Sequence, residues 1–186
     1  APANAEDIKS KDANKVDASR IVSVGGAETE ILYALGIAER IVAVDATSLH
    51  PPEALKSKPS VGYLRALSAE GVLSLAPSLI IASDKAGPAE VVRSLKASSV
   101  GYLEIDEVPT PAGLLARVTA ISKAVNRVEE GSKLADEIKS KFNQLDTLRA
   151  KIQKPRSALV VLSVQNGRLL AGGSDTSADG MLKLAG

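Results

Sequence analysis

The chain has 186 residues, of which 45% are hydrophobic and 24% charged, with a formal net charge of +1. These are the proportions of an ordinary globular protein, large enough for one well-filled core or for one complete lobe and part of another. So small a charge, with no Lys/Arg run interleaved with stacking aromatics, excludes nucleic acid as a partner, and no apolar stretch approaches the roughly 18 to 20 residues of a membrane helix.

The first residues, Ala1-Pro2-Ala3-Asn4-Ala5-Glu6-Asp7, are small and polar and lack an initiator methionine. Such a start is left either by removal of a signal peptide at a small-residue site or by an engineered beginning. With no cysteine in the sequence, neither a disulfide nor a lipidated N-terminal cysteine is expected on the chain as given, which would favour a free exported protein over an anchored one. Residues 1–19 alternate Lys, Asp, Asn and Ala without apolar periodicity, so they read as a loosely attached arm with order beginning near Arg20.

From Arg20 onward, short β-branched runs alternate with helical segments. Strands are expected at Ile21–Val24, Ile41–Val44, residues 79–82 and residues 100–105, each bounded by Gly, Pro, Ser or Asp. The first helix carries Ile31, Leu32 and Leu35 on one face and stops at Gly36, a residue suited to the left-handed position after a helix. Ser68 is placed to cap another, while Pro88 and Pro111 sit where a first helical turn tolerates a missing N–H. Strand–helix alternation of this kind argues for a parallel sheet covered on both faces over residues 20–126.

The pattern changes after Asn126. Leu134, Ile138, Phe142, Leu145, Leu148 and Ile152 recur at steps of three and four with charged residues between them, up to Pro155. A helix over residues 128–152 would span roughly 38 Å at about 1.5 Å per residue. That length suits either a spine of residues 127–154 linking two lobes or a helix packed back on one lobe. A further strand is expected at residues 158–164, a turn at Gln165-Asn166-Gly167, a return strand over Arg168–Ala171, and a helix running to Gly186. One strand pair and one helix cannot bury both faces of a sheet, so residues 155–186 are expected to begin a second α/β lobe needing roughly a hundred more residues. The expected fold class is therefore α/β, a parallel-sheet lobe with a long spine helix and the start of an incomplete second lobe.

Side chains able to ligate a metal are scarce: Cys 0, His 1, Met 1 and Tyr 3. Against that background Tyr63, two residues before Arg65 in Gly62-Tyr63-Leu64-Arg65, stands out on a glycine-led loop. It is either a metal or aromatic-ligand contact or an ordinary loop tyrosine. Tyr33 lies within a helix and Tyr102 within a strand, and both read as core residues. His50 follows the second strand and either lines the crevice that open α/β sheets keep at their strand C-termini or is plain surface. The pair Gly25-Gly26 with Ala27 ahead of the first helix either faces a ligand or closes a tight turn. Asp84, Lys85 and Gly87 occupy the corresponding loop after the third strand, and no nucleophile–base set or metal cluster can be assembled.

Three segments in order, Val22-Ser23-Val24-Gly25-Gly26-Ala27-Glu28-Thr29-Glu30, the Val61-Gly62-Tyr63-Leu64-Arg65 stretch and Ala82-Ser83-Asp84-Lys85-Ala86-Gly87-Pro88, resemble the haem-binding periplasmic proteins of bacterial ABC importers. The resemblance runs from about Arg20 to the last residue. It implies that Tyr63 ligates ferric haem iron, with Arg65 beside it favouring the phenolate, and that Gly26, Ala27, His50, Asp84, Lys85 and Gly87 form the crevice around haem. It implies a periplasmic carrier, not an enzyme, whose partners are haem, an ABC permease and an outer-membrane haem uptake system. Glu70 matches the residue that docks onto permease arginines in this superfamily, although an acid at a helix start also suits the helix dipole. Some relatives carry a second histidine ligand near the position of Val164, Gln165 and Asn166, which this chain lacks. Two other readings stay open: a binding protein for a corrinoid or ferric siderophore, and a small-molecule enzyme on a flavodoxin-like sheet.

Overall fold

The computed structural model describes residues 16–154 and 156–186. Four strands, β1 (Ile21–Val24), β2 (Ile41–Val44), β3 (Leu79–Ser83) and β4 (Gly101–Ile105), form an all-parallel sheet in the order β2-β1-β3-β4. The central strands β1 and β3 are buried along their whole length. That burial explains why both read as continuous apolar runs rather than alternating ones.

Successive side chains of a strand point to opposite faces, and the sheet accordingly divides the core into two layers. Leu79 and Ile81 of β3 join Ile21, Ile41 and Ile105 on one face. There they pack on α1 (Gly26–Ala34) and α5 (Pro111–Ala124) through Ile31, Leu32, Val118 and Ile121. Ile80 and Ala82 join Val22, Val24 and Ala43 on the other face, beneath Val72 of α3 (Ala69–Leu73) and Leu95 of α4 (Ala89–Ala97). A short helix, α2 (Glu53–Ser57), lies between β2 and α3 in the chain.

The helix boundaries follow local chemistry. After Leu35 the chain turns at Gly36 with φ +70°, the left-handed conformation that ends α1 as its sequence suggested. The Ser68 hydroxyl accepts the Gly71 N–H at 3.2 Å and caps α3. Thr110 does the same for Gly113 at 3.0 Å, with Pro111 in the first turn of α5. Pro88 is the capping residue of α4 rather than part of its first turn.

Two sequence expectations need correcting. Of the proposed arm, residues 1–15 lie outside the described residues, but Ala18 is a buried member of the first core layer and Val16 packs against that layer. The packed fold thus begins before Arg20. Two small apolar positions, one residue apart among polar neighbours, were too weak a pattern to reveal it. The long helix α6 (Val128–Arg149) has 22 residues, about 33 Å at ~1.5 Å per residue, and stops three residues short of Ile152. Its first half packs through Leu134 and Ile138, while Leu148 and Ile152 are exposed. The end tightens into the Lys151 N–H to Leu148 carbonyl and Ile152 N–H to Arg149 carbonyl bonds.

Beyond it, β5 (Val161–Gln165) and β6 (Arg168–Ala171) pair antiparallel, joined through Asn166 and Gly167 at φ 51° and 74°, the geometry an Asn-Gly hairpin turn favours. Leu162, Val164, Leu169 and Leu170 of this hairpin are exposed. The last helix, α7 (Ser177–Ala185), meets the first sheet's side of the molecule through the Ser177 hydroxyl, 2.8 Å from Glu107 Oε1.

Candidate functional site

Strand order reverses between β1 and β3, since the chain moves from β1 outward to β2 and then returns to the other side of β1. In open parallel sheets ligands bind outside the strand C-termini at such a switch point. Here the loops after β1, β2 and β3 meet at that edge and are joined by hydrogen bonds.

The junction between the first two loops is Asp45, which has no exposed surface. Its Oδ1 accepts the Gly25 N–H at 2.9 Å and the Ser48 hydroxyl at 3.0 Å. Its Oδ2 accepts the Thr47 N–H at 2.9 Å and the Thr47 hydroxyl at 2.7 Å. Because Ser48 spends its one proton on Asp45, Thr29 must donate to Ser48, and Ser23 must donate to Thr29, each at 2.8 Å. The chain of hydroxyls is wholly buried and ends on the carboxylate. Gly26 is required by the same junction, since a Cβ there would stand 2.6 Å from the Thr47 carbonyl oxygen.

The Tyr63 loop is fastened on both sides. Residues before it run beside β2, with the Val44 N–H donating to the Pro59 carbonyl at 3.0 Å and the Val61 N–H to the Val44 carbonyl at 2.9 Å. The Ala46 N–H then donates to the Gly62 carbonyl at 2.8 Å. After Tyr63 the loop is held by the third-strand loop: the Gly87 N–H donates to Leu64 at 2.8 Å, and the Leu67 N–H to Gly87 at 2.9 Å. Leu64 and Leu67 pack into the second core layer. Tyr63, in contrast, is 49% exposed, and Arg65 is also exposed. The buried Leu67 and the half-buried Leu64 thus anchor a loop that offers a phenol and a guanidinium to solvent.

The other residues singled out from sequence fall into distinct settings. His50 is exposed on the loop after β2, beyond the Asp45 network. Ala27 is half-buried in the first turn of α1. Asp84 and Lys85 pair at 2.6 Å, and this hydrogen bond holds the Lys85 ammonium above its usual pKa. Asp84 also accepts the Glu107 N–H at 3.2 Å, tying the loop after β4 to that after β3. Gly87 is buried and gives its N–H and carbonyl to the Tyr63 loop. Glu70 is exposed in the first turn of α3. Tyr33 packs on the first core layer and Tyr102 on the second. Burial, and secondarily Glu104, push the Tyr102 phenol well above its ordinary range, which unfits it as an anionic ligand. Among the described residues no group of three or more His, Cys, Asp or Glu side chains is placed to hold a metal ion.

Sequence reasoning missed a second buried charge at this edge. Glu28 in α1 is 2% exposed, with Arg117 of α5 at 3.7 Å from its Oε1, too long for a hydrogen bond. Burial raises the Glu28 carboxyl above its usual range; its own backbone N–H and Arg117 act the other way, and Glu107 and Asp45 add to the rise. Nothing in the sequence links two residues so far apart in the chain. Asp45 left one local trace, an Asp followed by Ala46-Thr47-Ser48 directly after a strand, the composition of a side-chain-closed turn.

The profile of the periplasmic binding protein family matches residues 21–186. The chain belongs to that family. The solved structure of the periplasmic haem-binding protein RhuT from Roseiflexus sp. RS-1 superposes with a TM-score of 0.84 at 32% identity, over 90% of this chain and 64% of that one. The periplasmic haem-binding protein BhuT in complex with two haems gives a TM-score of 0.83 at 34% identity, over 89% and 64%. A vitamin B12-binding protein of Vibrio cholerae is 30% identical over 145 residues, 77% of this chain and 51% of that protein. The chain thus spans about half to two thirds of the length of the relatives it matches. No helix among the described residues is long and apolar enough to cross a membrane.

Proposed function

We propose that this chain binds ferric haem as the cargo of a periplasmic carrier and hands it to the permease of an ABC importer. The observation that carries the reading is Tyr63, a half-exposed phenol on a loop fastened to both neighbouring loops at the switch point of the sheet. A phenol becomes a strong iron ligand on losing its proton, and the resulting hard anionic oxygen favours Fe(III) over Fe(II). That preference suits a carrier that takes up oxidised haem and releases it without redox chemistry. Arg65, on the same turn, would favour the phenolate, and Gly26, Ala27, His50, Asp84, Lys85 and Gly87 would border the porphyrin. Residues 20–126 would then be the first binding lobe, 127–154 the spine, and 155–186 part of a second lobe.

The likeness to a vitamin B12-binding protein supports a second reading, a corrinoid as cargo. An absorbance titration with hemin separates the two. A saturable Soret shift with a stoichiometric end point is expected, while cyanocobalamin or a ferric siderophore should give no calorimetric binding. Saturable cobalamin binding with no Soret change would replace haem by the corrinoid, and turnover of a small substrate would revive an enzyme.

Glu70 is proposed as the permease contact. Its exposed carboxylate lies in the first turn of α3, where a purely helical role is worth about 0.3–1 kcal/mol. Glu70→Arg should leave the hemin titration unchanged and weaken association of the carrier with its permease in a pull-down from membranes. Undiminished association together with a lower Tm would reduce Glu70 to a helix-start residue.

A further inference from the structure

We propose that Asp45 is the positioning residue for the Tyr63 loop, fixing where the phenol stands at the crevice, an inference that rests on the haem reading above. A carboxylate without exposed surface is costly unless its lone pairs are filled, and Asp45 fills them from the two loops it joins. One oxygen holds the Gly25 turn and the other the Thr47 turn. The very next residue, Ala46, donates its N–H to the Gly62 carbonyl, one residue before Tyr63. Asp45 thus sets the path of the backbone that grips the Tyr63 loop from the β2 side. The grip from the other side, through Gly87, is independent of it.

The conservative-looking replacement Asp45→Asn is not conservative here. Whichever way the amide is turned, its NH2 faces a backbone N–H, that of Gly25 or that of Thr47, together with a hydroxyl. Two donors then confront each other where an acceptor stood, and one of the two turns is released. Displacement of a ligating group by about an ångström is enough to cost on the order of a hundredfold in a site that depends on geometry. Tyr63 itself would remain present and exposed.

The test compares wild type with Asp45→Asn and with the milder Thr47→Val, which removes only the hydroxyl bond to Oδ2. Two measurements are made: hydrogen exchange at the Ala46, Val61, Ala66 and Gly87 amides, and hemin titration followed through the Soret and phenolate charge-transfer bands. The expected result is exchange accelerated about tenfold or more over wild type at Ala46 and Val61 with the β3 amides unchanged, hemin affinity lowered at least tenfold and the charge-transfer band shifted or lost. If Asp45→Asn does not fold, Thr47→Val should show the same pattern at several-fold size. Uniformly faster exchange across the sheet with an unchanged hemin spectrum would make Asp45 a purely structural residue and overturn the proposal. If wild type binds no hemin, the haem reading fails by itself; selective loosening of Ala46 and Val61 would still uphold Asp45 as the residue that positions this loop, and its absence would overturn that too.

Discussion

Arg117→Met should lower the stability of this chain by about 3–5 kcal/mol in urea unfolding, because it leaves the Glu28 carboxylate buried without a countercharge. Glu28 is 2% exposed, and the Arg117 side chain is itself 11% exposed, so neither charge can turn to water without opening the contact between α1 and α5. The deficit should depend on pH in a definite direction. The Glu28 carboxyl is raised in the folded protein, chiefly by burial, and Arg117 is one of the two influences holding that rise in check. A raised carboxyl contributes stability that is fully present below its unfolded pKa and is lost as pH rises through the folded one. Removing Arg117 raises the folded value further, so the variant's deficit should be large near pH 8 and shrink toward about pH 4.5. Replacing both partners together, as Glu28→Leu with Arg117→Met, should recover most of the loss, since a packed apolar pair avoids the desolvation that a 3.7 Å ion pair only partly offsets. A double variant no more stable than Arg117→Met would mean that the loss is one of packing rather than of charge.

What the sequence disclosed and what it hid follow from the range over which each signal acts. The β1 and β2 runs were legible to the residue because a strand buried on both faces needs only apolar β-branched residues and a polar boundary. The Ser68 cap, the Gly36 stop and the Asn166-Gly167 turn were legible because each depends on a few adjacent residues. Tyr63 could be singled out as well, since an aromatic in a chain so poor in them is conspicuous and a glycine-led loop seldom buries one. The hidden part is non-local. That Asp45 reaches back to Gly25, and that the Gly87 backbone grips the Tyr63 loop, are contacts between loops made adjacent only by the strand order β2-β1-β3. Gly26, for which the sequence leaves open a ligand contact or a tight turn, has a backbone role against Thr47, and Gly87, expected to border a ligand, has one under Leu64. The end of α6 differs from expectation as well: apolar spacing continues to Ile152, but Leu148 and Ile152 are exposed and the helix stops at Arg149.

Tyr63→Phe should leave the fold almost untouched and remove the spectroscopic signature of the ferric complex. The hydroxyl belongs to a side chain that is 49% exposed, and the loop is held by backbone bonds and by Leu64 and Leu67, so the change in unfolding free energy should stay within about 0.5 kcal/mol. Haem binding depends on that one oxygen in a different way. Perturbing groups that merely support a metal ligand typically costs about 10–100-fold in affinity, and loss of the ligand itself should cost at least the upper end of that range. The phenolate-to-iron charge-transfer band should vanish, and the remaining Soret band should move toward that of weakly ligated hemin. An unaltered band and affinity would remove Tyr63 from the iron and with it the main support for haem as cargo. Cobalamin supplies the converse control, because a corrinoid whose cobalt arrives with its axial positions filled has no use for a phenolate. Binding of cobalamin that is equal in wild type and Tyr63→Phe, with no hemin binding in either, would identify the crevice as a corrinoid site in which Tyr63 is only wall.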